Sequence, residues 1–192
     1  LETRKKISKE SPFYQEITID EIYLYIQNEY LFPEEAVIYA KELELQLELK
    51  FCTSRRSVQE LYELAQFLGK KIIIISDMYL PRKIIEQILH KNGYIGYHKL
   101  YVSSEVRLTK HQGDLFRNVL KDLAIEPSEM IHIGDNWDAD YINASKLGIR
   151  SFFYPKATSV MMGYVKGTKS NRLSKLLEKT NHGFADHRHF LD

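Results

Sequence analysis

The sequence predicts an α/β protein: a Rossmann-like, doubly wound parallel sheet with an α-helical cap on its N-terminal side. Three observations carry that prediction. Short apolar runs recur at Ile72–Ile75, Leu100–Val102, Met130–Ile133 and Ser151–Tyr154, and stretches of helical length separate them. The first run is apolar on both faces, as a parallel strand covered by helices on both sides must be. Connections of that length are right-handed crossovers, which lay consecutive strands parallel.

The elements follow in order. From Leu1 to about Arg56 there is no glycine, the only breakers are Pro12 and Pro33, and Glu, Leu, Tyr and Lys dominate, which predicts helices joined by short turns. Thr18-Ile19-Asp20-Glu21 is a capping box, with Ile22, Tyr23, Ile26 and Tyr30 following at helical spacing. Glu42–Leu49 alternates with the period of a strand, but it is built of strong helix formers behind Pro33-Glu34-Glu35, a good first turn, and is predicted helical. Ser57-Val58-Gln59-Glu60 reads as a second capping box, and Gly69 as the left-handed stop of its helix. Further helices are predicted from about Pro81 to Asn92, Asp114 to Ala124 and Asp138 to Leu147. The domain reading is an incomplete helical cap over 1–56, an α/β core over 57–167 that lacks its first strand, and a polar tail over 168–192. His182, His187 and His189 in that tail have no apolar scaffold to orient them, so they read as tail rather than metal site.

Composition bounds the function. With 192 residues, 44% hydrophobic and 12% aromatic, the chain buries a real core. Lys+Arg 27 against Asp+Glu 26 leaves a charge of +1, which supplies no field for nucleic acid or an anionic membrane. Cys52 is the single cysteine, so no intrachain disulfide exists, and Ile72–Ile75 is far shorter than the ~20 residues of a membrane span. The expectation is a soluble, cytoplasmic protein. The chain opens on Leu1, and Glu2-Thr3-Arg4-Lys5-Lys6 carries no apolar signal core, which reads as a fragment of something longer.

In open parallel sheets ligands bind outside the carboxyl ends of the strands. The residues there are Ser76 and Asp77 after the first strand, Lys110 in the loop after the second, and Gly134, Asp135, Asn136, Trp137, Asp138 and Asp140 after the third. Carboxylates beside a glycine suit a hard divalent cation such as Mg²⁺, and a lysine with a hydroxyl suits phosphoryl oxygens.

Ile72–Ser76, Lys110 six residues before Phe116, and Ile131-His132-Ile133-Gly134-Asp135 with Asp140 five residues on and Ala144 and Gly148-Ile149 beyond resemble the second, third and fourth motifs of the haloacid dehalogenase superfamily. Ser76-Asp77-Met78-Tyr79-Leu80-Pro81 and Tyr101–Glu105 resemble a bacterial branch linked with surface-polysaccharide glycosyltransferases. The resemblance runs from about Ile17 to Lys156. It implies that Ser76 holds a phosphoryl oxygen, that Lys110 fixes the nucleophile and offsets its charge, and that Asp135, helped by Asp140, holds Mg²⁺. Ser76, Lys110 and Asp135 are then the catalytic residues, with Asp77 and Trp137 joining Ser76 and Lys110 at the substrate.

One departure stands against these matches. The first motif of the family, an apolar strand ending in Asp-x-Asp whose first Asp is the nucleophile, has no counterpart. The only Asp-x-Asp is Asp138-Ala139-Asp140, inside the fourth motif. Family order would place the missing segment before Leu1. Plainer readings stay open: Ser76 as a strand terminator, Lys110 as a surface charge, Asp138 or Asp140 as the cap of the helix they begin, and Trp137 as the edge of the core.

The resemblance implies an Mg²⁺-dependent phosphohydrolase for a small phosphorylated metabolite such as a sugar phosphate, inactive as this chain. The alternative is a non-catalytic module serving a tethered or neighbouring glycosyltransferase. A response-regulator receiver fits poorly, because its acids precede the hydroxyl and lysine in chain order.

Overall fold

In the computed structural model, which describes residues 15–156, helix α1 (Ile19–Tyr30) begins at the capping box. The Glu21 N–H donates to Thr18 Oγ1 at 3.2 Å and the Thr18 N–H donates to the Glu21 carboxylate at 2.7 Å, so two amides without helical partners are satisfied reciprocally. Helix α2 (Glu34–Phe51) starts directly after Pro33 and contains the whole Glu/Leu alternation. Intrinsic preference outweighs the strand-like period there. Helix α3 (Arg56–Phe67) departs from expectation. It starts on Arg56 behind an extended Arg55 with no side-chain cap, so Ser57 lies inside the first turn and the second capping box does not form. Gly69, at φ +64°, ends that segment as expected.

Strand β1 (Ile73–Ser76), helix α4 (Arg82–Lys91), strand β2 (Lys99–Val102), the single turn α5 (Ser103–Val106) and helix α6 (Asp114–Leu123) follow. β1 and β2 are parallel, in a register that sets Ile73 beside Lys99 and Ser76 beside Val102. Leu80, Ile85, Ile88, Leu100, Val102 and Phe116 form the core against which they pack. Two tyrosines join the helical hairpin to the loop after β1: Tyr23 Oη and Tyr79 Oη donate to the two oxygens of Glu44, at 2.6 and 2.7 Å. Burial, and then the Glu44 carboxylate, push the Tyr23 phenol far above its usual range, so it remains a neutral donor.

The chain divides into two compact units, Leu1–Val119 and Leu120–Asp192, with the break inside α6. The second unit contains a 3₁₀ turn (Pro127–Glu129), strand β3 (Ile131–Gly134), a π-helical turn (Trp137–Ile142), helix α7 (Asn143–Lys146) and strand β4 (Arg150–Phe153). β3 and β4 are parallel, from Ile131 beside Arg150 to Gly134 beside Phe153. Among the described residues the strands thus form two parallel pairs rather than one continuous ladder. The helix expected over Asp138–Leu147 is split. Its cap is Asn136 rather than Asp138: Asn136 Oδ1 accepts from Asp138 N–H at 3.1 Å and Ala139 N–H at 2.9 Å. His182, His187 and His189 lie outside the described residues.

Candidate functional site

In the first unit the chemistry gathers at the carboxyl end of β1. Ser76 is the last strand residue and is buried. Asp77, the next residue, is half-buried, and its carboxylate accepts the Lys110 N–H on both oxygens, at 3.0 and 2.9 Å. The corner after β1 and the Lys110 loop are therefore joined directly. This bond commits the Asp77 side chain to the Lys110 backbone. Thr109, one residue earlier, is buried and donates from N–H and Oγ1 to Gln15 Oε1, at 3.0 and 3.4 Å. No motif signals Gln15, because its partners lie more than ninety positions away in sequence.

In the second unit the acidic turn closes around Asp140. That residue is 2% exposed, and both its oxygens are bonded within the turn. Oδ1 accepts from the His132 imidazole at 3.0 Å, and Oδ2 accepts from the Asn136 N–H at 2.9 Å. Gly134 makes this close approach feasible, because a Cβ there would stand 2.5 Å from Asp140 Oδ2. Asp135 is half-buried, with Lys156 Nζ 3.8 Å from Oδ2. Trp137 is half-exposed and packs on Tyr141, ring centroids 4.7 Å apart, and edge-on against Phe153 at 5.2 Å.

The donor set can be tested against a hard cation. Among the described residues no three His, Cys, Asp or Glu side chains cluster closely enough to hold a metal ion. Of the two expected ligands, Asp140 braces the turn through His132 and Asn136, and Asp135 is the carboxylate suited to a cation, with Lys156 as a neighbouring charge. One carboxylate supplies part of the six-oxygen shell of Mg²⁺ and not the whole of it. His132 and Lys156 were not singled out from sequence. The polar His132 inside the apolar Met130–Ile133 run is the signal that could have found the first.

The family model of haloacid dehalogenase-like hydrolases matches residues 3–154. The chain belongs to that family. This haloacid dehalogenase-like protein is 29% identical over 86 residues to "Haloacid dehalogenase-like hydrolase domain-containing protein 3" of Danio rerio, a match covering 44% of this chain. That match spans about a third (34%) of the relative's length. Among solved structures, a 2-haloacid dehalogenase from Pseudomonas syringae pv. Tomato DC3000 superposes with a TM-score of 0.56 at 16% identity, over 94% of this chain and 79% of that one. A predicted phosphoglycolate phosphatase from Haemophilus somnus 129pt gives 0.52 at 15% identity, over 70% and 63%. At these identities the structural likeness shows the fold, and the family match carries the hydrolase class. No helix among the described residues is long and apolar enough to cross a membrane.

Proposed function

We propose that this chain is the phosphoryl-handling part of a haloacid dehalogenase-type phosphohydrolase acting on a small phosphorylated metabolite. One observation carries the reading: the carboxylate of Asp77, adjacent to Ser76, holds the backbone of Lys110, so a hydroxyl and an ammonium come from segments joined at one strand end. A hydroxyl that donates and an ammonium suit the oxygens of a phosphoryl group. In the second unit Asp135, beside the turn that Asp140 braces, would hold Mg²⁺. Trp137, in the same unit, offers an exposed apolar face suited to a sugar ring.

Nothing in the 192 residues places an Asp-x-Asp after an apolar strand, so covalent phosphoryl transfer to this chain has no acceptor carboxylate. The chain therefore binds inorganic phosphate but shows no Mg²⁺-dependent hydrolysis of an aryl phosphate. Phosphate binding, followed by NMR, is lost in Lys110→Met. Titration of Mg²⁺ by calorimetry shows weak binding that Asp135→Asn abolishes and Asp138→Asn leaves nearly intact, because Asn136 and not Asp138 caps the turn. Hydrolysis by the wild-type chain that Asp135→Asn removes would overturn the absence of a nucleophile. Equal loss of Mg²⁺ in both Asp variants would overturn the assignment of roles in the loop. A full-length gene product that binds phosphate without turnover would favour the non-catalytic module beside a glycosyltransferase.

A further inference from the structure

Lys110 stands in the loop between α5 and α6, where no regular ladder fixes the backbone. Its direction depends on side chains from elsewhere. On one side Asp77 accepts the Lys110 N–H with both oxygens, at 3.0 and 2.9 Å. On the other, Gln15 spans the segment: Oε1 accepts from the Thr109 N–H at 3.0 Å, and Nε2 donates to Asp114 Oδ2, in the first turn of α6, at 2.5 Å.

Gln15 is itself anchored. Its N–H donates to Arg107 O at 3.0 Å, and Arg107 Nη1 returns a bond to Glu16 O at 3.2 Å. Glu16, 1% exposed, accepts from Ser103 Oγ at 3.0 Å, and the Ile19 N–H donates to Tyr79 O at 2.9 Å. The segment from Gln15 to Ile19 is thus fastened both to the loop after β1 and to the loop that carries Lys110. Arg107, at φ 59°, holds a left-handed conformation unusual for a residue with a side chain, and such conformations persist only where the surroundings over-determine them.

We propose that Gln15 and Asp77 are positioning residues for Lys110, acting on successive backbone amides from opposite sides. The proposal rests on the reading of Lys110 as the cation that meets phosphoryl oxygens. A lysine is a point charge on a flexible four-carbon stem, so the Cα–Cβ vector from which the stem starts sets the region that the ammonium can reach. Bonds to the amides of Thr109 and Lys110 fix that vector. A displacement of about 1 Å at a binding group is enough to cost a large factor in catalysis.

The test uses the ¹⁵N-labelled full chain, with amide hydrogen exchange and an inorganic phosphate titration read on each variant. Gln15→Ala speeds exchange at the Thr109 amide, and Asp77→Ala at the Lys110 amide, by about tenfold or more, each weakening phosphate binding at least about threefold, while the β2 amides keep their protection. Asp77→Asn, which keeps one acceptor oxygen, restores most of both; it also decides the matter if Asp77→Ala loses protection in β2 as well. Lys110→Met removes phosphate binding and leaves both amides protected. If Lys110→Met removes binding while Gln15→Ala and Asp77→Ala bind phosphate like wild type, the positioning role is overturned and the reading of Lys110 stands. If Lys110→Met binds phosphate normally, that reading fails, and with it the functional meaning of the two clamps.

Discussion

Gly134 shows how a single missing side chain shapes the acidic turn. Its Cβ would lie 2.5 Å from Asp140 Oδ2, closer than non-bonded atoms approach, so Gly134→Ala must push Asp140 off His132 and Asn136. Overpacking of this kind costs about 1–3 kcal/mol. Because the cost arises from one contact, Gly134→Ala and Asp140→Ala are expected to be non-additive in a double-mutant cycle of urea melts, with a coupling of about 1 kcal/mol or more. Additive losses would show that the glycine serves another purpose. The places of Ser76 and Asp135 at the carboxyl ends of β1 and β3 were legible in the sequence, because the end of each apolar run predicts where its strand stops. The direction of the Asp140 carboxylate was not. Spacing places it on the turn, but only the packed structure decides that it faces His132, and the same holds for Asp77, whose acceptor role depends on a partner thirty-three residues away.

At the scale of elements, capping chemistry was legible where it was reciprocal and misleading where it was half-formed. Thr18 and Glu21 satisfy one another, and Arg107 Nη1 adds a charge-assisted bond to Glu21 Oε2 at 2.5 Å. Ser57 and Glu60 have the same spacing, but α3 starts two residues earlier, behind extended Arg55, and Glu60 pairs with Arg56 at 3.0 Å instead. Burial alone would raise the Glu21 carboxyl; the Arg107 and Thr18 bonds together outweigh it and hold it below its usual value. A carboxyl depressed in the folded state stabilises the fold above its unfolded value, about 4.3, and that stabilisation is lost as pH falls through the folded value. Wild-type stability should therefore decline on acidification from about pH 5 toward pH 3, and Glu21→Gln should be less stable at pH 7 with a shallower decline over the same window. Parallel acid limbs in the two proteins, measured by thermal melts, would show that Glu21 carries none of the pH dependence. The π-helical turn was not legible at all, because nothing in Trp137–Ile142 separates it from an ordinary helix start until Asn136 and Asp140 bind the same short stretch of backbone.

Over the whole molecule the class was legible and the covering of the sheet was not. Alternating apolar runs and helix-length connections suffice for parallel strands, but they do not say what lies on each face of them. β3 and β4 are covered unevenly: Ile131 is 52% exposed, Ile133 48% and Phe152 57%, while His132 between the isoleucines is buried. Period two along β3 puts Ile131 and Ile133 on one face, and register puts Phe152 beside Ile133, so the exposed residues are contiguous. A contiguous apolar face of this sort binds hydrophobic dyes and favours self-association. The chain should therefore enhance the fluorescence of ANS at neutral pH without any loss of secondary structure. The double variant Ile131→Thr/Ile133→Thr keeps β-branched residues suited to a strand while removing apolar area, so it should lower the dye signal at least about twofold and raise the solubility limit, at a cost in stability of under about 1 kcal/mol. A dye signal unchanged by the double substitution would place the exposed apolar surface elsewhere. A stability loss of several kcal/mol would mean that these isoleucines are core residues, as the apolar run first suggests.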